Sequence, residues 1–268
     1  MLARLLSRSV VVAVCLAPLA AQDKPRDAKE AAPAVTAEQA AAAAKTLKEA
    51  LASAEIPARV NALREAGAVD HDEVARVAGG ALTEKDESVR IAAAQALGGM
   101  TCKESLVALH RGAEKEKNVK DSKVAAALFK AIGQHADPSS ISVVANEPLK
   151  NMDADVVRAR IFALGNIRSK KSVEELMQLM LLGNPTPGQD SPYMPTVRVA
   201  LARLTGTDQT TNKDMWQAWW RENKAKFEVA AEPAEMPSEL QTVWNEYWGV
   251  PAAGKDAGRP AGPPHSGR

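Results

Sequence analysis

Along most of this chain, apolar side chains recur every three or four positions, the spacing of one face of a helix, and strand-like alternation is almost absent. Five segments share one frame: Ala58 to Gly67, Val89 to Gly98, Val124 to Gly133, Val156 to Gly165 and Val197 to Gly206. Each runs from an apolar or small residue through a small-and-apolar stretch to a glycine nine positions later. The closing glycines lie 31, 35, 32 and 41 residues apart, and the last interval is long because Gly183 to Pro192 inserts a loop. A period of this size marks stacked helical units rather than one continuous core. Each closing glycine is expected at a left-handed helix C-terminus, where a missing Cβ removes the steric penalty.

After each glycine comes a second helical run with its own start signal. Asp70 is expected to cap a helix over Glu73 to Leu82, and Thr101 to Glu104 has the form of a capping box. Asp137-Pro138 places a cap before a proline at the first helical position, and Ser172 to Glu175 forms a second capping box. Upstream, Thr36 to Gln39 opens an alanine-rich helix whose face of Ala40, Ala44, Leu47 and Leu51 would cover the first unit. The fold expected is all-α: an α-solenoid of about five helix pairs over residues 36–206, including that N-terminal capping helix. A Trp-rich helical cap follows over residues 207–250.

The stretches VRIAAAQALGGM (residues 89–100) and VRVALARLTG (residues 197–206) resemble the first helix of short HEAT repeats of the phycobilin-lyase type. The resemblance runs from about Ala58 to Gly206 and implies stacked helix pairs that offer a binding surface. The third unit departs from it, with Lys123-Val124 and no arginine at the family position, and the fourth shifts its arginine to Arg158. The stretch from Leu204 to Phe227 resembles a module that closes HEAT arrays in exported bacterial proteins.

Composition changes the picture mainly at the ends. Aromatic residues make up 4% of the chain, yet all five tryptophans lie beyond Gly206. Trp216, Trp219 and Trp220 stand at i, i+3 and i+4, the core stripe of an amphipathic helix expected over Asp214 to Phe227. Trp244 and Trp248 lie on a second helix, opened by Ser238 to Gln241; the tryptophans are expected to cover the last repeat, with Trp244 and Trp248 the more exposed pair and the candidates to meet a partner. Residues 1–21 carry Arg4 and Arg8, an apolar run from Val10 to Leu19, then Ala20 and Ala21: a secretory signal, too short to span a bilayer. Export to the periplasm or the cell exterior follows as an expectation. Residues 22–35 read as a flexible linker and 251–268 as a disordered tail.

The charge balance of +1 becomes −1 without the leader, which offers no footprint for nucleic acid or an anionic membrane. No second apolar run would insert the mature chain into a membrane. Cys102 is then the one remaining cysteine, so packing rather than a disulfide must hold the fold.

Candidate chemistry is sparse. His71 and His135 sit in turns whose aspartates are explained as caps, and no HExxH or paired CxxC supplies a metal site; no cofactor is expected. Cys102 has no basic neighbour to activate it as a nucleophile. The chain therefore reads as a non-enzymatic scaffold for a protein or polymer partner. The rival reading is an accessory subunit or enzyme of the lyase-associated HEAT group. Arg59, Arg90, Arg158 and Arg198 recur near the starts of first helices and are expected to pair with turn acids such as Asp86, Glu87, Asp153 and Asp155. Polar residues on the second helices, namely Glu73, Arg76, His110, Arg111, Glu174 and Gln178, are the candidate partner-binding set, with Trp244 and Trp248.

Overall fold

A computed structural model describes residues 35–181 and 191–251. The expected leader, nearly all of the linker, most of the inserted loop and the tail beyond Pro251 lie outside the described residues. The helices run in chain order as α1 (Ala37–Leu51), α2 (Ile56–Ala66), α3 (Asp72–Gly80), α4 (Glu87–Gly99), α5 (Lys103–Ala113), α6 (Glu116–Lys120), α7 (Ser122–His135), α8 (Ile141–Ala145), α9 (Ala154–Asn166), α10 (Lys170–Leu179), α11 (Met194–Thr205), α12 (Lys213–Asn223) and α13 (Ser238–Trp248). No strand occurs among the described residues, and the fold is an all-α solenoid. Five first helices, α2, α4, α7, α9 and α11, pack successively side by side. On the other side α1, α3 and α5 form a second row, continued by the short α8 and by α10.

Four of the five closing glycines do a different job from the one expected. Only Gly206 has a left-handed backbone, at φ 69°. Gly67 ends α2 at φ −60°, and Gly98, Gly133 and Gly165 lie inside their helices. Each of these four glycines instead marks a close approach to the next first helix. A Cβ on Gly67 would stand 3.1 Å from Ala96 Cα, on Gly98 2.9 Å from Ala131 Cα, on Gly133 2.7 Å from Ala163 Cα, and on Gly165 2.8 Å from Ala200 Cβ. Glycine costs a helix interior about 1 kcal/mol relative to alanine, so its recurrence here is explained by packing distance rather than by backbone conformation.

The caps also reach between units. His71, not Asp70, caps α3, its Nδ1 accepting from the Glu73 amide at 3.2 Å. Asp70 is freed to cap the next unit: its Oδ1 accepts from the amides of Thr101 (2.9 Å) and Cys102 (2.8 Å), and Asp72 accepts from the Glu104 amide at 3.0 Å. These carboxylates take up the orphan N–H groups at the start of α5, so the expected Thr101 box is replaced by acids from the preceding turn. Ser169 caps α10, while Ser172 is buried within it, and α13 begins after Pro237 without a side-chain cap.

Three of the four arginines of the series pair with acids of later turns, while Arg158 lies over the Phe162 and Tyr247 rings. Arg59 meets Glu84 at 3.1 Å, Arg90 meets Asp121 at 2.6 Å, and Arg198 meets Asp208 at 2.5 Å with Glu239 at 3.7 Å. Asp86 and Asp153, proposed as partners, are instead N-caps of α4 and α9. Buried Arg90 also donates to the carbonyls of Glu84 and Lys85, both at 2.9 Å. Arg160 plays a parallel part in the fourth unit, donating to the Val144 and Asn146 carbonyls with its guanidinium 4.0 Å from the Phe129 ring centroid. Burial lowers the Arg160 pKa to about 10, so it remains charged at neutral pH.

The tryptophan module splits in two. Trp216, on α12, is fully buried in the main core and donates Nε1–H to the Thr210 carbonyl at 2.9 Å. Trp219, Trp220 and Phe227 pack beside it, half-buried. Helix α13 leaves this cluster and lies against the first-helix row, where Trp244 is buried rather than exposed.

Two outcomes follow for stability. Gly133→Ala should destabilise the fold by about 1–3 kcal/mol despite its better helix propensity, because the methyl meets backbone. Gly80→Ala, at φ −58° with nothing within 4 Å of the added carbon, should gain about 0.5–1 kcal/mol. Denaturant unfolding decides this, and equal effects at the two positions would remove close approach as the reason for the glycines. In the same assay Trp216→Ala should cost ~3–5 kcal/mol, and the half-buried Trp220→Ala distinctly less. A near-neutral Trp216→Ala would show that α12 is not part of the cooperative core.

Candidate functional site

Glycines also shape the second-helix row. A Cβ on Gly79 would lie 2.7 Å from Ala108 Cβ, and one on Gly112 2.7 Å from Leu82 Cδ1, so α3 and α5 approach closely at their C-terminal ends. Beside this contact is a groove of ≈ 330 Å³ with an apolar floor of Leu82 and Ala108. Its rim carries Arg76, Arg111 and Lys115 against Glu104 and Glu114. Arg111 reaches Glu104 at 3.4 Å with a side chain that is 67% exposed, so this weak pair leaves the guanidinium available. The groove thus presents three cations to two acids over an apolar base, a surface that can take a carboxylate-bearing segment.

Of the residues expected to bind a partner, the structure brings Arg76 and Arg111 together here. Glu73 stands at the start of α3 and does not line the groove. Glu174 and Gln178 are on α10, beyond the short third unit, where Glu174 pairs with Lys171 at 3.7 Å. Lys115, Glu104 and Glu114 lie outside the expected partner-binding set, and Glu104 enters the sequence pattern only as the acid of the Thr101 box. Lys115 was legible as the i+4 neighbour of Arg111 on one helical face, but it follows the end of α5 and reads as turn.

His110 lines a different pocket, of ≈ 390 Å³, with Cys102, His135 and Asp137. The convergence has structural explanations. His110 Nε2 lies 2.8 Å from the Oγ of fully buried Ser140, His135 Nε2 lies 3.1 Å from the Leu97 carbonyl oxygen, and Asp137 caps the following turn. Burial lowers the His110 pKa and raises that of the Cys102 thiol, so both neutral forms are favoured. A buried serine cannot reach a substrate, and a raised thiol pKa disfavours a nucleophilic thiolate. Among the described residues, no group of three or more His, Cys, Asp or Glu side chains is placed to hold a metal.

Trp244 and Trp248, expected on an exposed face, pack inward against first helices. Trp244 tilts on Phe162 of α9 with ring centroids 5.6 Å apart, and the Trp248 ring abuts Gly133 of α7. Nothing in the spacing of a short terminal helix shows which way its aromatic face turns.

Residues 89–115 match the model of the PBS lyase HEAT-like repeat. The chain carries a HEAT-like repeat. The matched segment covers α4 from Val89 onward and all of α5, and it ends at Lys115 on the groove rim. No curated protein matches the chain. No helix among the described residues is long and apolar enough to cross a membrane.

The His110 environment gives a pH prediction. Its folded pKa is depressed below the ordinary 6.5 by burial, so the unfolded chain binds the proton more readily. The stability it supports is complete above about pH 6.5 and is lost as pH falls through the folded pKa. The urea midpoint should therefore drop from about pH 7 to about pH 5, and His110→Gln should flatten that slope. A slope unchanged by the substitution would assign it to other groups.

Proposed function

We propose that this protein is a non-catalytic scaffold that binds a protein partner through the second-helix side of its solenoid. The groove between α3 and α5 receives a carboxylate-bearing segment of that partner. The observation that carries the reading is the meeting of Arg76, Arg111 and Lys115 over Leu82 and Ala108. Exposed cations around an apolar floor suit an acidic, partly hydrophobic peptide, since the charges steer and orient while the floor supplies apolar contact. The HEAT-like repeat supports it, because units of this kind commonly mediate protein interactions. Among the described residues the histidines have capping or packing partners, and burial favours the neutral Cys102 thiol, which supports a non-enzymatic role. Export to the periplasm or cell exterior is part of the proposal and rests on the pattern of Arg4, Arg8 and the run from Val10 to Leu19.

The test is affinity capture from an envelope fraction with the wild-type chain and an Arg76→Glu/Arg111→Glu variant. Both substitutions are on exposed side chains, so the helical signal and unfolding midpoint should hold. Retention of the captured protein should fall by roughly tenfold or more, and raised salt should weaken wild-type capture in the same direction. Equal capture by both chains would exclude this groove as the contact.

A further inference from the structure

The outer face of the first-helix row departs from its polar pattern in one unit. Three residues before each closing glycine the units carry Arg64, Gln95, Lys130 and Arg203, but the fourth carries Phe162. Arg64 and Gln95 are exposed, as befits that face, whereas Phe162 is fully buried. Helix α13 covers it. Tyr247 stacks on Phe162 with ring centroids 3.9 Å apart and 9° between planes.

The seating is regular. Leu240 packs with Val199 and Ala202 of α11, the edge of Trp244 meets the position a Gly165 Cβ would take at 3.1 Å, and Trp248 meets that of Gly133 at 2.9 Å. One side chain every four residues of α13 thus addresses one first helix, from α11 through α9 to α7. The glycines that bring first helices together also leave notches on this face, and the two rings fill them.

The chemistry of the face is equally defined. Arg203 lies 5.1 Å from the Trp244 ring centroid, and Arg158 lies 5.8 and 5.7 Å from those of Phe162 and Tyr247. Lys130 Nζ donates to the Tyr247 carbonyl at 2.9 Å, at the C-terminal end of α13 where a cation is favoured. Arg198 reaches Glu239 at its N-terminal end. Cations therefore flank an apolar, aromatic track, and the helix on it carries Glu239 and Glu246.

Two features separate α13 from the body it covers. Its contacts form a small cluster distinct from the main core. Tyr247 Oη and Trp248 Nε1 are buried beneath it without a hydrogen-bond partner, a cost that each undocking relieves. The segment between α12 and α13 has no helix from Phe227 to Pro237.

We propose that this face is a docking track for an acidic amphipathic helix bearing aromatic residues at i, i+3 and i+4, and that α13 occupies it in cis as a displaceable pseudo-ligand. The site is separate from the α3–α5 groove, and neither depends on the other. A partner helix of this chemistry displaces α13, and the cis occupant lowers the apparent affinity by the fraction of time it is docked.

Two measurements test this on the full chain. Native-state hydrogen exchange should show α13 amides exchanging through an opening that leaves α9 and α11 protected. Exchange of α13 only with global unfolding would overturn the proposal. The second uses a fluorescent synthetic peptide spanning residues 236–251 as the probe. It should bind the Trp244→Ala/Trp248→Ala chain roughly tenfold or more tightly than the wild type, and Glu239→Lys/Glu246→Lys in the peptide should weaken that binding. No binding to a double variant that keeps its helical signal would overturn the track. Loss of the array's fold in the double variant would do the same, because α13 would then be part of the core rather than its occupant.

Discussion

The distance between successive first helices is the constraint on which this structure depends. Gly98, Gly133 and Gly165 are helix-interior glycines whose missing side chains let Ala131, Ala163 and Ala200 of the next helix come within van der Waals contact. Small residues on both sides make the layers thin, and thin layers explain why alanine dominates α4 and why the row leaves few aromatic side chains inside. Packing at this density transmits strain, since no flexible side chain stands between the backbones to absorb a shift. The stack has no disulfide to fall back on: Cys102 is a free thiol.

Polar interactions then fix the register that packing alone would leave loose. Asp70 and Asp72 cap the helix of the following unit, Arg59 and Arg90 reach the turns that follow them, and Arg90 and Arg160 gather carbonyls of the turns that precede them. A buried arginine with one carboxylate and two carbonyls tolerates little sliding between layers, because displacement would strand its charge away from water. Side chains that occupy equivalent places in the sequence repeat thus hold unit to unit rather than serve an external ligand.

This internal use of charge leaves two surfaces with a surplus. On the second-helix side, Arg76, Arg111 and Lys115 exceed their acidic neighbours over an apolar floor. On the first-helix side, Lys130, Arg158 and Arg203 surround aromatic rings contributed by α9 and α13. The two differ in what they offer. The groove is open between two helices and accommodates a few side chains, whereas the track is long, already occupied, and suited to a whole helix. A solenoid whose opposite faces have separate chemistry can join two binding events without a shared site.

The all-α class and the places of the five units were determined by sequence, because the 3.6-residue apolar period and the recurring glycine are local properties of the chain. The positions of the caps were legible to within three residues, but their assignments were not: whether Asp70 serves its own helix or the next depends on the spacing between units, a distance no local pattern encodes. The glycines show the same division. Their recurrence was plain, yet the reason lay in a contact with a residue about thirty positions away rather than in their own backbone angles. Arg76 and Arg111 were identifiable as polar residues on second helices, and only the approach of α3 to α5 joined them with Lys115 into one groove. The direction of the tryptophans on α13 was decided by tertiary structure alone. A short amphipathic helix buries its apolar face against whichever surface has matching notches, and those notches at Gly133 and Gly165 exist only once the first helices are stacked.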